Sequence, residues 1–192
     1  MELLEQRILT DGKLLPGGIL KIDNFLNHQL DPRLIQAMAR EIRRLYADEG
    51  VNKILTIEAS GIAIAVLTGL EFDCPVVFAK KSKTKNISDQ VYAAEVPSFT
   101  HGNTNTVVVS KEYLKPGDRV LIVDDFLATG AALVGLRELV RQAGGSVAGA
   151  AIAVEKVFQG GGDKLRAEGM RVESLARIAS MDDKGITFCR DL

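Results

Sequence analysis

The sequence predicts an α/β fold with a central, mostly parallel sheet flanked by helices. One observation is the apolar run from Val120 to Val123, in which three of the four residues are β-branched, because such a run indicates a strand buried on both faces. Another is that this strand, like the apolar segment from Lys53 to Ile57, is followed by acidic and small residues that can open a helix. The same plan of strand, loop and helix therefore occurs twice in the chain.

Length and composition indicate one soluble globular domain. The chain has 192 residues, of which 46% are hydrophobic and 26% charged, and its formal net charge is −1. A domain of this size buries roughly 70% of its unfolded surface, which is enough for a complete core. The near-neutral charge argues against a nucleic-acid partner or a membrane-binding surface.

Features of the sequence also predict a cytoplasmic protein. Cys74 and Cys189 form no C-x-x-C pair, which favours a reducing compartment. The segment from Met1 to Leu9 is amphipathic and charged, unlike a signal peptide. The longest apolar stretch, Gly61 to Leu70, is far shorter than the ~20 residues of a membrane-spanning helix.

Helical and strand periodicities alternate between Met1 and Lys80. They predict helices at Glu2 to Thr10, Pro32 to about Tyr46 and Ile62 to Leu70, and strands at Ile19 to Asp23, Lys53 to Ile57 and Pro75 to Ala79. Asp31 followed by Pro32 is a typical helix start, because Asp caps free amide groups and Pro suits the first turn. Gly50 is expected to end that helix.

A basic segment follows the third of these strands, with lysines at Lys80, Lys81, Lys83 and Lys85. Such a run is usually a solvated loop, and it also suits a mobile lid whose cations meet a polyanionic ligand. The chain then predicts a hairpin on a flap beside the main sheet, with strands at Val91 to Phe99 and Thr104 to Ser110. Residues from about 80 to 110 are therefore expected to form a flexible region.

The carboxyl-terminal part is predicted to complete the sheet. The patterns predict a helix from Ala131 to about Gln142, a strand from Val147 to Val154, a helix from Asp163 to Glu168 and strands at Arg171 to Ile178 and Ile186 to Phe188. Glu155 and Lys156 follow the Val147 strand and are expected to face a ligand cleft, because such folds bind ligands beyond the carboxyl ends of their strands. No linker or repeat divides the chain, so residues 1–192 are expected to form a single domain.

The segment after Val123 has the chemistry of a sugar phosphate site. Backbone amide groups at a helix start can bind a phosphate closely where the side chains are small, as they are at Ala128, Thr129, Gly130, Ala131 and Ala132. Asp124 and Asp125 would repel that phosphate, but they can accept hydrogen bonds from a diol such as the 2′ and 3′ hydroxyls of ribose. The alternative is an ordinary buried strand, turn and alanine-rich helix start.

A second anion site is predicted where the Lys53 strand gives way to its helix. Backbone amide groups and one hydroxyl can bind an anion there, in the segment formed by Glu58, Ala59, Ser60 and Gly61. Taken alone, this segment could equally be a plain strand-to-helix turn. The run Gly160-Gly161-Gly162 gives no such prediction, since it has the spacing of neither the Walker A nor the dinucleotide-binding motif.

The segment from Val120 to Ala132 resembles the signature of the purine and pyrimidine phosphoribosyltransferase family. Similarity to the bacterial members of this family that use xanthine extends to KIDNFLNHQLDP (21–32), TIEASGIAIA (56–65), VPSFT (96–100), EKVFQG (155–160) and RVESLARI (171–178). The resemblance covers nearly the whole chain. It implies the type I fold of the family, with a small hood formed mainly by about residues 1–30 and the C-terminal segment, a flexible flap, and a homodimer.

The resemblance also implies a role for each candidate site residue. Asp124 and Asp125 would bind the ribose of 5-phosphoribosyl 1-pyrophosphate (PRPP), and the loop from Ala128 to Ala132 its 5-phosphate. Pyrophosphate would be bound by Lys81 and by the Glu58 to Gly61 loop, which in this family often contains a non-proline cis peptide. The purine would contact Leu20, Asn27 and Lys156. Mg²⁺ would be held mainly through PRPP, as this ion usually is.

The implied reaction is transfer of ribose 5-phosphate to xanthine, giving xanthosine 5′-monophosphate and pyrophosphate. Lys156 can only donate hydrogen bonds, so it suits a 6-oxopurine and disfavours adenine. The Asn27 amide can match xanthine or, after flipping, guanine, so a guanine or hypoxanthine enzyme remains an alternative, as does a non-catalytic nucleotide-sensing regulator. Many relatives have Asp at the position of Ala128 and Thr at that of Ala132. This chain therefore has no assigned proton acceptor for the base.

Overall fold

A computed structural model describes residues 1–82, 89–97, 104–182 and 184–190. The amino-terminal elements are α1 (Glu2–Asp11), β1 (Lys13–Leu15), β2 (Ile19–Lys21), a π-helix (Asp23–Asn27), α2 (Pro32–Leu45), β3 (Lys53–Ile57), α3 (Gly61–Phe72) and β4 (Val76–Ser82). The remaining elements are β5 (Val91–Pro97), β6 (Thr104–Ser110), β7 (Arg119–Leu127), α4 (Ala131–Gln142), β8 (Ser146–Lys156), a 3₁₀ turn (Val157–Gln159), α5 (Gly161–Ala167), β9 (Val172–Asp182) and β10 (Gly185–Phe188).

One sheet organises the molecule. Its eight strands have the order β10-β9-β8-β7-β3-β4-β6-β5, and the neighbours from β9 to β4 are parallel. Strands β10, β6 and β5 pair antiparallel at the two edges, and β1 and β2 form a separate hairpin. This confirms the predicted α/β class with a mostly parallel central sheet.

Helices cover both faces of the sheet, which explains the continuous apolar run in β7. Leu121 and Val123 pack into a cluster with residues of α1, α2 and α3, whereas Ile122 packs into a second cluster with residues of α4 and α5. Successive side chains of a strand point to opposite faces. Each face of β7 must therefore be apolar, and burial of each such side chain contributes about 1.5–3 kcal/mol.

Helix α2 begins and ends close to the predicted positions. The Asp31 carboxylate accepts hydrogen bonds from the amide groups of Arg33 (3.1 Å) and Leu34 (3.2 Å). The last helical residue is Leu45, next to the predicted end at about Tyr46, and Gly50 lies beyond it. Tyr46 leaves the helix because its fully buried ring packs in the core and its hydroxyl donates to the carbonyl of Ala150 (2.8 Å).

Several strands extend past their predicted carboxyl ends. Lys80 and Lys81 were predicted in a loop, but they belong to β4, where Lys81 pairs with Val107 of β6. That pairing also makes the β5–β6 hairpin a continuation of the main sheet and not a separate flap. Lys83, Lys85 and the predicted turn around His101 lie outside the described residues.

Within the described ranges, no helix combines the length and apolarity needed to cross a bilayer.

Candidate active site

The predicted site residues gather at the carboxyl edge of the parallel strands. Asp124 and Asp125 lie on β7, Glu58 directly follows β3, Lys81 lies near the end of β4 and Lys156 ends β8. Because β3, β4, β7 and β8 are parallel, these ends meet along one edge, which is where open α/β sheets bind ligands. The topology thus places residues from four separate parts of the chain beside one cleft.

The sequence predicts the two acidic residues just beyond the strand, but in the structure both lie inside β7. The strand continues to Leu127 because Asp124, Phe126 and Leu127 pair with β8. Asp124 and Asp125 are only 5% and 7% exposed, and the amide of Asp125 donates to Asp124 Oδ1 (3.0 Å). Two carboxylates are therefore fixed side by side in a largely water-excluded position.

Burial raises the pKa of Asp124 well above its ordinary value, and the charge and hydrogen bond of Asp125 raise it further. The positive charge of Lys81 acts in the opposite direction and lowers that pKa. A polar ligand with hydroxyl donors or an associated cation would favour the ionised form of Asp124.

The predicted phosphate loop connects β7 to α4. Helix α4 begins at Ala131 as predicted, and Gly130 precedes it with φ of 85°, a left-handed conformation that suits glycine. The first amide groups of a helix have no partner within the helix and can bind an anion. A cavity of about 160 Å³ lies over this loop and is also lined by Val96 and Pro97 of β5. This cavity contains all five predicted phosphate-binding residues.

Val96 and Pro97 are lining residues that the sequence did not predict. Their strand was assigned to a flap, and the strand carries no phosphate-like motif that would have revealed the contact. The similarity at VPSFT (96–100) was the single available signal, and Ser98, Phe99 and Thr100 lie outside the described residues. The two residues reach the phosphate loop because the β5–β6 hairpin extends the sheet.

The predicted pyrophosphate loop lies directly against the acidic pair. The peptide bond between Glu58 and Ala59 is cis, in agreement with the family resemblance. Glu58 Oε1 accepts a hydrogen bond from the amide of Lys81 (2.6 Å), which links the loop to β4. A Cβ atom on buried Gly61 would overlap Thr56 Oγ1 and lie 3.0 Å from Asp124 Oδ1. The lack of a side chain at Gly61 therefore allows the loop to approach the carboxylate closely.

Ser60 begins the transition into α3, where its side chain makes no capping hydrogen bond. Ala59 is exposed and its carbonyl accepts from the amide of Ile62 (3.2 Å). The hydroxyl of Ser60 is therefore not committed to the helix start and can serve a ligand. The structure thus groups Glu58, Ala59, Ser60, Gly61 and Lys81 in one region, as the prediction requires.

The predicted purine contacts come from the hairpin, the π-helix and β8. Leu20 is buried on β2, and the Lys156 ammonium donates to the carbonyl of Gly18 (3.4 Å), just before that strand. Burial lowers the pKa of Lys156, whose ammonium also lies 5.6 Å from the centre of the Phe126 ring. This contact brings the amino-terminal hairpin to the end of β8.

Asn27 is the last residue of the π-helix, an element that the sequence did not predict. Among the described residues its Oδ1 atom is buried without a hydrogen-bond partner. A buried acceptor without a partner costs about 1–3 kcal/mol, so this atom suits a ligand donor. No hydrogen bond joins Asn27 to Lys156 within the described part of the chain, so a ligand would be needed to connect them.

Glu155 does not face the cleft, contrary to the prediction. It is 1% exposed, and its carboxylate receives two hydrogen bonds from Arg166 (2.7 and 2.8 Å) and lies 3.5 Å from Arg177. The Glu155 carboxylate is thus occupied by arginines of α5 and β9, whereas the Lys156 ammonium reaches the carbonyl of Gly18. Burial raises the pKa of Glu155, but the bonds from Arg166 and the charges of both arginines outweigh it, so the pKa is lowered.

A metal site made wholly of protein ligands is not found among the described residues, since they contain no group of three or more His, Cys, Asp or Glu side chains placed to hold an ion. Asp124 and Asp125 could supply one or two carboxylate oxygens. That is a usual protein share for Mg²⁺ when substrate phosphates and water complete its shell. The residues therefore fit an ion that is held mainly through PRPP.

Comparison with known proteins identifies the class. The phosphoribosyl transferase domain family matches residues 21–181, and the chain belongs to this family. It is similar to the xanthine phosphoribosyltransferases of Bacillus cereus strain AH187 and Bacillus anthracis strain A0248. Each is 50% identical over 188 residues, which cover 98% of this chain and 95% of the relative.

Solved structures show the same fold. The adenine phosphoribosyltransferase from Rhodothermus marinus DSM 4252 is 25% identical, has a TM-score of 0.75 and covers 92% of this chain and 99% of its own. The corresponding enzyme from Giardia lamblia, complexed with 9-deazaadenine, is 22% identical and has a TM-score of 0.76. The match covers 91% of this chain and 97% of the Giardia chain. The predicted type I phosphoribosyltransferase fold is thereby confirmed.

Proposed function

We propose that the protein is an enzyme that transfers ribose 5-phosphate from PRPP to xanthine in purine salvage, releasing pyrophosphate. The observation that carries this proposal is the close approach of Gly61 to Asp124, which joins the pyrophosphate loop to the ribose carboxylates. The phosphate loop continues from the same strand. The carboxylates of Asp124 and Asp125, which can accept hydrogen bonds from a diol, therefore lie between the two predicted anion sites. PRPP carries its groups in the same order, with ribose between pyrophosphate and phosphate.

Each group of residues acts on one part of PRPP. The amide groups from Ala128 to Ala132, with the Thr129 hydroxyl, bind the 5-phosphate at the start of α4. The carboxylates of Asp124 and Asp125 accept hydrogen bonds from the ribose hydroxyls. The amide groups of the Glu58 to Gly61 loop and the Ser60 hydroxyl bind pyrophosphate, and the Lys81 ammonium offsets its charge.

The base is bound at its two polar edges. The free Oδ1 of Asn27 accepts the N3–H of xanthine while the amide nitrogen donates to O2, and Lys156 donates to O6. Leu20 supplies apolar contact. Guanine has the reverse order of hydrogen-bond donor and acceptor at the edge facing Asn27, and a flipped Asn27 amide can match it. Adenine presents an amino group, from which the Lys156 ammonium cannot accept a hydrogen bond. The 50% identity to xanthine phosphoribosyltransferases supports xanthine among the 6-oxopurines.

In the reaction, the bond between the anomeric carbon and the pyrophosphate oxygen breaks and a bond from that carbon to a purine nitrogen forms with inversion, while the base N–H proton passes to water. The bonding electrons leave with pyrophosphate. Bound Mg²⁺ would neutralise part of the pyrophosphate charge. The buried carboxylates of β7 orient the ring and lower the free energy of positive charge that develops on it. Ala128 has no acceptor group, so the protein supplies no carboxylate there for the base proton.

The proposal is tested by incubating the protein with PRPP, Mg²⁺ and xanthine and identifying the nucleotide by mass spectrometry. Wild-type protein should form xanthosine 5′-monophosphate and pyrophosphate in equal amounts. The Asp125→Asn variant should lose most of the turnover while its circular dichroism spectrum is unchanged. Absence of nucleotide with any purine would favour the nucleotide-sensing regulator, and near wild-type turnover in Asp125→Asn would remove the role of that carboxylate.

Four further features belong to the same proposal. The hood consists mainly of residues 1–30 with the C-terminal segment, on a single domain that acts in the cytoplasm. The active form is a homodimer, for which the exposed side chains of Val66 (51%) and Leu70 (70%) on α3 provide apolar surface. Light scattering in solution tests the dimer, since a mass of one chain at assay concentration would contradict it.

A further inference from the structure

The run Gly160-Gly161-Gly162 lies directly beside the phosphate loop. It follows the 3₁₀ turn at the end of β8, and Gly161 is the first residue of α5. No phosphate motif accounts for these three glycines. In the structure, close packing accounts for Gly161 and Gly162, and a left-handed φ of 74° accounts for Gly160.

Gly161 contacts the backbone of the phosphate loop without any intervening side chain. Its amide donates a hydrogen bond to the carbonyl of Ala128 (3.1 Å). A Cβ atom on Gly161 would overlap the Ala128 oxygen and the carbonyl carbon of Thr129, and it would lie 2.6 Å from the amide nitrogen of Gly130. All three are backbone atoms, so no side-chain rotation can relieve such a contact and the loop itself would have to move.

The other side of α5 is anchored, so Gly161 cannot easily yield instead. Arg166 of α5 forms the two short hydrogen bonds with the buried carboxylate of Glu155 described above. A Cβ on Gly162 would overlap that carboxylate. Leu165 is 1% exposed, and its Cδ1 lies 3.1 Å from where a Cβ of Gly130 would be. Helix α5 is therefore held in place by its own contacts, and the loop from Ala128 to Gly130 packs directly against it.

We infer that Gly161 is a positioning residue for 5-phosphate binding, because its missing side chain sets the position of the phosphate-loop amide groups. The residue does not touch the phosphate itself. It acts through the hydrogen bond to Ala128 and through the close backbone contact, and the inference rests on the proposed function of the loop. Misplacement of a binding group by about 1 Å can reduce activity by roughly 100-fold.

The test compares Gly161→Ala with the wild type in three measurements: binding of ribose 5-phosphate by calorimetry, KM for PRPP and KM for xanthine. The variant should bind ribose 5-phosphate about tenfold or more weakly and show a correspondingly higher KM for PRPP. Its KM for xanthine should be unchanged, because Leu20, Asn27 and Lys156 lie on other elements. Wild-type affinity for ribose 5-phosphate in this variant overturns the inference.

A matched control separates positioning from general loss of stability. In Gly149→Ala the new Cβ would lie 2.6 Å from the ring of buried Tyr46 and 2.9 Å from the carbonyl of Arg171, in the amino-terminal half of β8. This variant should have a lower melting temperature but wild-type affinity for ribose 5-phosphate. If both variants weaken that binding equally, the effect is general and the inference fails.

A milder variant serves if Gly161→Ala does not fold. Leu165→Val removes the δ methyl group nearest Gly130 and leaves only γ methyl groups closer to the α5 backbone, and it should also weaken ribose 5-phosphate binding relative to xanthine. Unchanged binding would overturn the inference. If the wild type neither binds ribose 5-phosphate nor forms nucleotide, the proposed function itself fails, whereas an active wild type with unaffected variants removes only the role of Gly161.

Discussion

At the scale of single residues, two buried carboxylates have opposite electrostatic environments. Burial and Asp125 raise the pKa of Asp124, whereas Arg166 and Arg177 lower that of Glu155 despite its burial. Charged groups that are buried without a compensating partner destabilise a fold but often serve function. Asp124 is therefore suited to a ligand and Glu155 to the structure. The sequence placed both beside the cleft because it could not show that Arg166 reaches Glu155.

Asp124→Asn is expected to stabilise the ligand-free protein while lowering activity. Because Asp124 binds its proton more tightly when folded, its contribution to stability falls as pH rises from its ordinary pKa of 3.8 through its higher folded pKa. At pH 7 the substitution should raise the free energy of unfolding by about 0.5–2 kcal/mol, and the gain should shrink towards pH 4. Urea denaturation at several pH values measures this. The exposed Asp48→Asn is the control, and equal stability of Asp124→Asn and wild type at pH 7 would contradict the account.

Asn27→Ala should raise the KM for xanthine about tenfold, because about 1.4 kcal/mol of hydrogen bonding to the base is lost. The KM for PRPP should stay the same. The neighbouring Asn24→Ala provides the control, since Asn24 is exposed and its side chain donates to the carbonyl of Asp11 (3.1 Å). Steady-state kinetics with each substrate varied in turn measures both KM values. An unchanged KM for xanthine would show that Asn27 does not bind the base.

At the scale of elements, the sequence predicted the type of most helices and strands but not where strands β4, β7 and β8 end. Lys81, Asp124 and Lys156 are polar residues that favour loops by composition, yet each lies in a strand because it pairs with a neighbouring strand. Helix α4, with a clear apolar period and bounding glycines, was predicted to the residue. The π-helix carrying Asn27 has no sequence signal of this kind, so the exact position of this proposed purine contact could not be predicted.

Gly61→Ala tests whether the pyrophosphate loop must lie against Asp124. The new Cβ would overlap the Thr56 hydroxyl, so the variant should melt at a lower temperature and lose roughly 100-fold in turnover as the loop shifts. Thr56→Ala removes the overlapping oxygen. The double variant should therefore recover part of the melting temperature, measured as a non-additive term in a double-mutant cycle. Strict additivity of the two substitutions would contradict the proposed packing.

At the scale of the whole molecule, two apolar clusters cover the sheet and one buried ion pair joins β8 to α5. The sequence predicted the sheet, its faces and the family, because hydrophobic period and the motif after Val123 are local signals. It could not predict contacts between distant segments, such as Lys156 with Gly18 or Gly161 with Ala128. Those contacts bring the residues proposed to bind the purine, the proposed phosphate loop and helix α5 into one region.

Glu155→Gln should destabilise the protein by about 3 kcal/mol, the lower end for breaking a buried pair, because Arg166 remains 29% exposed. The lowered pKa of Glu155 means that its stabilisation is present above its ordinary pKa of 4.5 and is lost as pH falls through its folded pKa. The variant should therefore differ most from wild type near neutral pH and least in acid. Chemical denaturation measures this, with Glu138→Gln in the exposed pair with Arg141 as the control. A difference that does not shrink in acid would contradict the role of the ion pair.

The most direct test of the central claim, that one site joins PRPP to a 6-oxopurine with xanthine preferred, is a competition measurement. Xanthine, guanine, hypoxanthine and adenine are supplied at equal concentration with Mg²⁺ and limiting PRPP, and the nucleotide products are quantified by mass spectrometry. The ratio of products reports the ratio of kcat/KM values. Xanthosine 5′-monophosphate should dominate and adenosine 5′-monophosphate should be the least abundant. A dominant product from any of the other three bases, or no nucleotide from any base, would contradict the account.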